Sequence, residues 1–446
     1  MRLPIAPTPA AALARLPPPR MIAGADTVVD TLLASTTVIA DGATSIGATA
    51  DELAGSLFGA SLFPWLAMLY WLKHPTVAAP PGVSFGLTFL LAFVFGSIPA
   101  AIGAGALYGV SLADADWLHG AAESLLAITN CVVVLGFRDA LDAAAGGGSA
   151  APPEATQLRT AATALGALAA ASAVVVFASG GAEVHTPWLG GVGALPLWAA
   201  EPANALSVPT WIIHTSSLVE WLVAMGLAWK FAEATGQPRW KGVTWGMLPL
   251  HTSGIVACTY HLFYNAPALS WCVALQAGMT CVGNTTLAIA CLRLALASGW
   301  TWQIGADDAA AAWASVVAQV RGEDEPAAAE GGATRAAAPS DAVPSDAAAA
   351  AAAAPSTSPA AALVGWEDLG DAWAADGNAA FLGKLLALSG ALAYGAKYLP
   401  ALASGVEVPE GVLDAAAAAV IVVPTALNCA KWLQRSKEGA EFVGDI

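Results

Sequence analysis

The sequence predicts an all-α polytopic membrane protein of about nine transmembrane helices, in two helical modules plus a C-terminal helix pair. Composition is the first reason. Of 446 residues, 57% are hydrophobic and 11% charged, and mean hydropathy is +0.63, whereas soluble domains carry about 25% charged residues. The second is length: uncharged runs such as 83–109 exceed the roughly 20 helical residues that cross about 30 Å of hydrocarbon. The third is charge, which alternates between successive connections as the positive-inside rule requires.

Residues 1–50 are rich in Ala and Pro, and Arg2, Arg15 and Arg20 precede the first acidic residue, Asp26. Such an Arg-bearing, acid-free start reads as a transit peptide outside the fold. The first membrane module, 53–138, holds spans at 57–72, 83–109 and 118–137, the last ended by Arg138. Pro64 lies in the first span, and Pro99 is expected to kink the second. The connection 139–158, with its GGGSAAPPE, separates this module from the second, 159–293. Spans of the second module are expected near 160–180, 210–229, 243–264 and 268–292. Residues 294–362 turn to Ala, Pro, Ser, Asp and Glu and read as a disordered linker. Two weaker spans, 380–398 and 412–429, make the C-terminal pair within 363–446.

Basic residues occupy every second connection: Lys73, then Arg138 and Arg159, then Lys230, Arg239 and Lys241, then Arg293, and finally Lys431, Arg435 and Lys437. The intervening connections carry Asp114 and Asp116, Glu183 and Glu201, and Glu407 and Glu410, with no Lys or Arg. Miscounting by one helix would destroy this alternation, so it supports the spans independently. The basic side is expected to face the stroma or cytosol. Lys384 can snorkel to that side, whereas Lys397, at the far end of the same span, is the exception.

The formal charge of −16, from 33 acidic and 17 basic residues, excludes nucleic-acid binding, because no Lys/Arg stripe can neutralise phosphates. It also disfavours docking on anionic lipid through a polybasic patch. Membrane lipids are the expected surroundings. Cysteines at 131, 258, 272, 281, 291 and 429 form no CxxC pair and read as small buried hydrophobes.

Ionisable and amide side chains inside the apolar spans are costly in lipid and turn toward a protein interior. In the third span His119, Glu123 and Asn130 fall within about 40° of one another at 100° per residue, forming one polar stripe. That stripe reads as a metal, pigment or proton site, or as a polar network that fixes helix packing. In the fifth span His214, Ser217 and Glu220 descend one broad face; in the sixth, His251 and His261 lie about 80° apart. Neutral imidazoles can ligate transition metals, haem iron or chlorophyll magnesium, which makes His119, Glu123, His214, Glu220, His251 and His261 the candidate cofactor-binding residues. No HExxH or CxxCH is present, so neither an intramembrane metalloprotease nor attached haem is supported. Gln276, Thr280 and Asn284 in the seventh span can hydrogen-bond across a helix interface.

Particular blocks resemble known families. SLFPWLAMLYWL with DWLHGAAESLLAITNCVVVLGFR (116–138) resembles the plastid and cyanobacterial domain of unknown function 3593. EPANALSVPTWIIHTSSLVEWLVAMGLAWKFAEATGQPRWKGVTWGMLPLHTSGIVACTYHLFYN (201–265) resembles domain of unknown function 2499, related to the hypothetical chloroplast reading frame 49 proteins. GWEDLGDAWAAD (365–376) and PTALNCAKWLQRS (424–436) are similar to the C-terminal part of green-lineage members. With flanking helices the resemblance covers roughly 53–293. It implies a chloroplast membrane protein, of thylakoid or inner envelope, without implying a particular reaction.

Three functions fit these features. One is assistance to the assembly or stability of a photosynthetic membrane complex, with complex subunits or pigments as partners. Another is a pigment-, haem- or quinone-binding carrier or intramembrane enzyme, with His119 and Glu123 as acid/base pair and His251 or His261 as ligand. A third is a proton- or cation-coupled transporter using Glu123 and Glu220. No catalytic residue and no particular metal or cofactor follows from the sequence.

Overall fold

A computed structural model describes residues 50–146, 153–178, 183–196, 201–321, 365–401 and 409–438. The expected transit peptide, except for residue 50, and residues 322–362 of the expected linker lie outside them. Ten long helices account for most of the described residues: α1 (Ala50–Lys73), α2 (Pro81–Tyr108), α3 (Asp116–Ala144), α4 (Pro153–Ala178), α5 (Val208–Ala234), α6 (Lys241–Leu262), α7 (Trp271–Ala297), α8 (Trp302–Arg321), α9 (Asn378–Ala401) and α10 (Glu410–Glu438). There is no strand among the described residues. The protein is an all-α polytopic membrane protein, and each of the nine expected spans coincides with a long helix among the described residues.

Seven helices, α1, α2, α3, α5, α7, α9 and α10, are long and apolar enough to cross a membrane. The other two expected spans are α4 and α6. The 22 residues of α6 still extend about 33 Å, but His251, Thr252, Ser253 and Lys241 dilute its apolar content. Local sequence sets the helix ends. Pro81 and Pro209 occupy first-turn positions of α2 and α5, where the missing N–H costs nothing. Gly109 ends α2 in the left-handed conformation at φ 69°, which glycine adopts freely.

The two modules expected from sequence share one core. α1 packs chiefly along α7 rather than α2, α3 packs on both α2 and α5, and α5 also meets α6 and α9. α5 is therefore the central helix. Trp65, Met68, Leu72, Phe137, Met225, Trp240, Leu287, Phe381 and Trp432 fill the main core. Helices approach closely where glycine allows it: a Cβ on Gly136 would stand 2.5 Å from the Gly82 backbone, and one on Gly283 would stand 2.8 Å from the Leu250 backbone. In lipid such close contact is a principal source of helix association.

One segment differs from expectation. Residues 302–321, within the expected linker, form helix α8, whose many alanines carry the highest helix propensity. Tyr70 at the end of α1 donates to Asp308 of α8 at 2.6 Å. The two C-terminal helices dock separately on the bundle: α9 packs mainly on α5, and α10 mainly on α6. The turn 365–378 attaches both. Arg138, buried at the end of α3, donates to the carbonyl oxygens of Asp376 at 2.6 Å and Trp373 at 3.3 Å, and Lys384 meets Asp376 at 2.6 Å. Lys431 and Arg435 of α10 grip Glu367 and Asp368, while Lys230 pairs with Asp371.

These contacts gather the basic residues at one end of the bundle. Lys397, the apparent exception, lies at the opposite, acidic end with Glu201 at 2.8 Å, and donates to the Leu206 carbonyl at 2.8 Å. Its charge is neutralised locally, so it does not disturb the alternation.

Candidate functional site

Three helix ends meet at the acidic end. His119 lies one turn into α3, His214 two turns into α5, and His261 in the last turn of α6. Because α3 and α5 begin where α6 finishes, the three imidazoles reach the same depth. Their ring centroids are 4.9 Å apart for His119 and His214, 4.8 Å for His119 and His261, and 4.9 Å for His214 and His261. One ring nitrogen from each falls within 4.8 Å of the others. Each residue is 6% exposed.

Hydrogen bonding among the connections holds this arrangement. Asp116, in the first turn of α3, accepts from the Trp188 amide at 2.8 Å and the Ser207 amide at 3.2 Å, tying α3 to the start of α5. A carboxylate is favourable at that helix terminus. Asn265, just beyond α6, donates to Asp114 at 2.8 Å and to the Ala113 carbonyl at 3.2 Å. Asn204 donates to Asp114 at 3.2 Å and to the Tyr264 carbonyl at 3.0 Å. Tyr264 and Asn265 both take positive φ, 54° and 55°; this is tolerable for Asn and uncommon for Tyr, and backbone of this kind concentrates at functional sites. Gly120 admits the Trp188 indole, since a Cβ there would stand 2.7 Å from the ring and from Thr210 Oγ1.

The imidazoles are held in place, yet their polar atoms are not all satisfied. Both nitrogens of His119, Nε2 of His214 and Nδ1 of His261 are buried without a well-formed hydrogen bond among the described residues, although the Leu112 and Ala113 backbone adjoins His119 and Asn265 adjoins His261. Buried polar atoms are rarely left this way, and three rings that carry such atoms meet here. Glu123, one turn below His119, has Oε1 4.0 Å from His119 Nε2. Three imidazoles, with the Glu123 carboxylate beside one of them, form a nitrogen donor set suited to a transition metal and poorly suited to Mg²⁺ or Ca²⁺, which take oxygen ligands.

The structure thus unites three of the six candidate residues, His119, His214 and His261, with a fourth, Glu123, beside His119. His251 lies apart. It is ten residues from His261 along α6, about 15 Å, and contacts Asn428 of α10 at 3.3 Å through Nδ1. Glu220 also lies apart, accepting from the Cys131 thiol at 3.2 Å. Asn130 donates to the Ser217 carbonyl at 3.4 Å, so the lower part of the α3 stripe serves the α3–α5 interface. On α7, Thr280 meets Ser253 at 2.7 Å and Asn284 donates to the Ser61 carbonyl at 2.9 Å. Sequence reasoning missed the supporting roles of Asp116, Asn265 and Trp188. Asp116 opening a helix and Asn265 closing one were the available signals.

Fold and site together define a polytopic helical membrane protein with a three-histidine cluster at the acidic end of its bundle. The chain belongs to the Ycf49-like family. It is 48% identical over 87 residues to the Ycf49-like protein of Synechocystis sp., covering 20% of this chain and 84% of that protein. It is 30% identical over 84 residues to the uncharacterized protein ycf49 of Cyanophora paradoxa, covering 19% of this chain and 82% of that protein. Residues 54–142 match the family described as protein of unknown function DUF3593, and residues 205–293 match protein of unknown function DUF2499. No solved structure matches the chain.

Proposed function

We propose that this is a plastid membrane protein, of the thylakoid or inner envelope, that holds a histidine-ligated cofactor and through it assists the assembly or stability of a photosynthetic membrane complex. The observation that carries this reading is the convergence of His119, His214 and His261 from three helices, with buried ring nitrogens that lack a well-formed hydrogen bond. What sets these three apart from His251, which contacts Asn428 through Nδ1 and has a buried Nε2 of its own without a partner, is that they come together. The relatives' names support the plastid setting.

The test has two parts. Full-length protein purified in mild detergent is expected to carry a cofactor in stoichiometric amount, detected by visible absorption or elemental analysis and lost on His214→Ala. In the organism, the same replacement is expected to lower accumulation of a photosynthetic complex while the variant itself remains in the membrane. A colourless, metal-free protein would sink the cofactor reading, and unchanged complexes would sink the assembly role.

A further inference from the structure

We infer that the cluster is a site for a single divalent first-row transition-metal ion, ligated by His119, His214 and His261 with Glu123 as the adjoining carboxylate. This rests on the cofactor reading above and narrows it from pigment, haem or quinone to a bare ion.

Hydrogen-bond capacity is the first argument. Three neutral imidazoles can turn three lone pairs on one point, and a water molecule, with two donors, satisfies three ring nitrogens only when one ring presents its N–H instead. A cation serves all three at once. Geometry is the second. The ligand atoms lie within 4.8 Å of one another, and a tetrahedral ion bonded at about 2.0–2.1 Å needs them roughly 3.4 Å apart. The closure required is of the order of an ångström. By contrast, three rings with centroids 4.8–4.9 Å apart leave no gap between them for the flat macrocycle that an axial histidine of haem would face.

Electrostatics is the third argument. Two positive charges in this setting need compensation, and Glu123 stands 4.0 Å from the His119 ring. Asp114 and Asp116 adjoin the same helix start. Lys397, on the same end of the bundle, is already bound to Glu201. The connections at this end bring no other Lys or Arg, so the approach to the site favours cations. Three histidine ligands leave a fourth position open, as in sites that exchange or activate a ligand rather than in closed structural ones. Among divalent first-row ions, Cu²⁺ has the highest intrinsic affinity for such nitrogen donors, and imidazole also suits Zn²⁺.

For the test, the full chain is purified in mild detergent, stripped with a chelator and titrated with Zn²⁺, or with Co²⁺ as a visible reporter. One ion per chain is expected, with a Co²⁺ ligand-field spectrum and a melting temperature that climbs with free Zn²⁺. His119→Ala, His214→Ala and His261→Ala should each reduce bound metal at least about tenfold, and Glu123→Gln should weaken affinity about tenfold. His251→Ala should keep full stoichiometry. If the alanine variants fail to fold, the titration of the unaltered chain still decides, because a purely structural cluster gives no Zn²⁺-dependent shift in melting. Purified protein that carries haem or chlorophyll and no stoichiometric ion overturns the metal inference and leaves the cofactor reading standing. Protein with no chromophore, no ion and no Zn²⁺-dependent shift overturns both.

Discussion

A lysine buried near the end of a membrane helix is tolerated only when its charge is answered, and Lys397 is answered by the Glu201 carboxylate and the Leu206 carbonyl. Removing one partner of a buried pair leaves the other uncompensated, at a cost of about 3–5 kcal/mol. Lys397→Ala is therefore expected to lower the melting temperature in detergent markedly, and the double replacement Lys397→Met with Glu201→Gln to recover most of the loss. Equal melting of single and double variants would refute the coupling. The pair also shows what single residues disclose. Lys397 looked anomalous in sequence because its partner lies 196 positions away. His119, His214 and His261 were each legible as costly side chains in apolar helices, but a helical period fixes angles only within one helix. Which faces meet depends on how helices rotate against one another, and that is set by contacts such as Gly82 on Gly136. His251 and Glu220 carried the same sequence signal and face other partners.

Among the elements, the helix positions were the most legible, because a long apolar run between charged ends has few alternatives in lipid. Their partners were less so: α1 neighbours α2 in sequence and packs mainly on α7. The attachment of α10 could not be read from periodicity, since it depends on a short polar turn. Glu367 presses its carbonyl so close to Gly226 of α5 that a Cβ there would collide with it at 2.0 Å. Gly226→Ala should displace the turn 365–372 and raise hydrogen exchange in both the turn and the end of α10; unchanged exchange would contradict that contact. Burial alone would raise the Asp368 carboxyl, but Arg435, joined by Lys431, outweighs it and holds the group below its ordinary value. Its contribution is thus complete above the unfolded carboxylate range, near pH 4, and is lost as pH falls through the lower folded value. Asp368→Asn should weaken the attachment of α10 at neutral pH, with the difference from the unaltered chain disappearing under strongly acid conditions.

For the whole molecule, charge distribution fixes how the bundle stands in the membrane. Arg138, Lys230, Lys241, Lys431 and Arg435 gather at one end, and the histidine cluster lies at the other. Under the positive-inside rule, a membrane-impermeant thiol reagent should label Ala374→Cys from the stromal or cytosolic face and Ser111→Cys only after the membrane is breached. Both residues are exposed in the folded chain. Labelling of both from one face would invert or break the topology. In the same orientation, an ion reaching the histidines enters from the side opposite the stroma or cytosol.

His119 belongs to the segment matched at 54–142, while His214 and His261 belong to that matched at 205–293. Neither segment alone holds a complete donor set. A chain severed within 147–152 should therefore yield two fragments that recover full ion affinity only when co-expressed, which complementation in membranes can measure. Encoding both in a single polypeptide fixes their ratio at one to one and makes their encounter intramolecular, independent of how dilute the protein is in the bilayer.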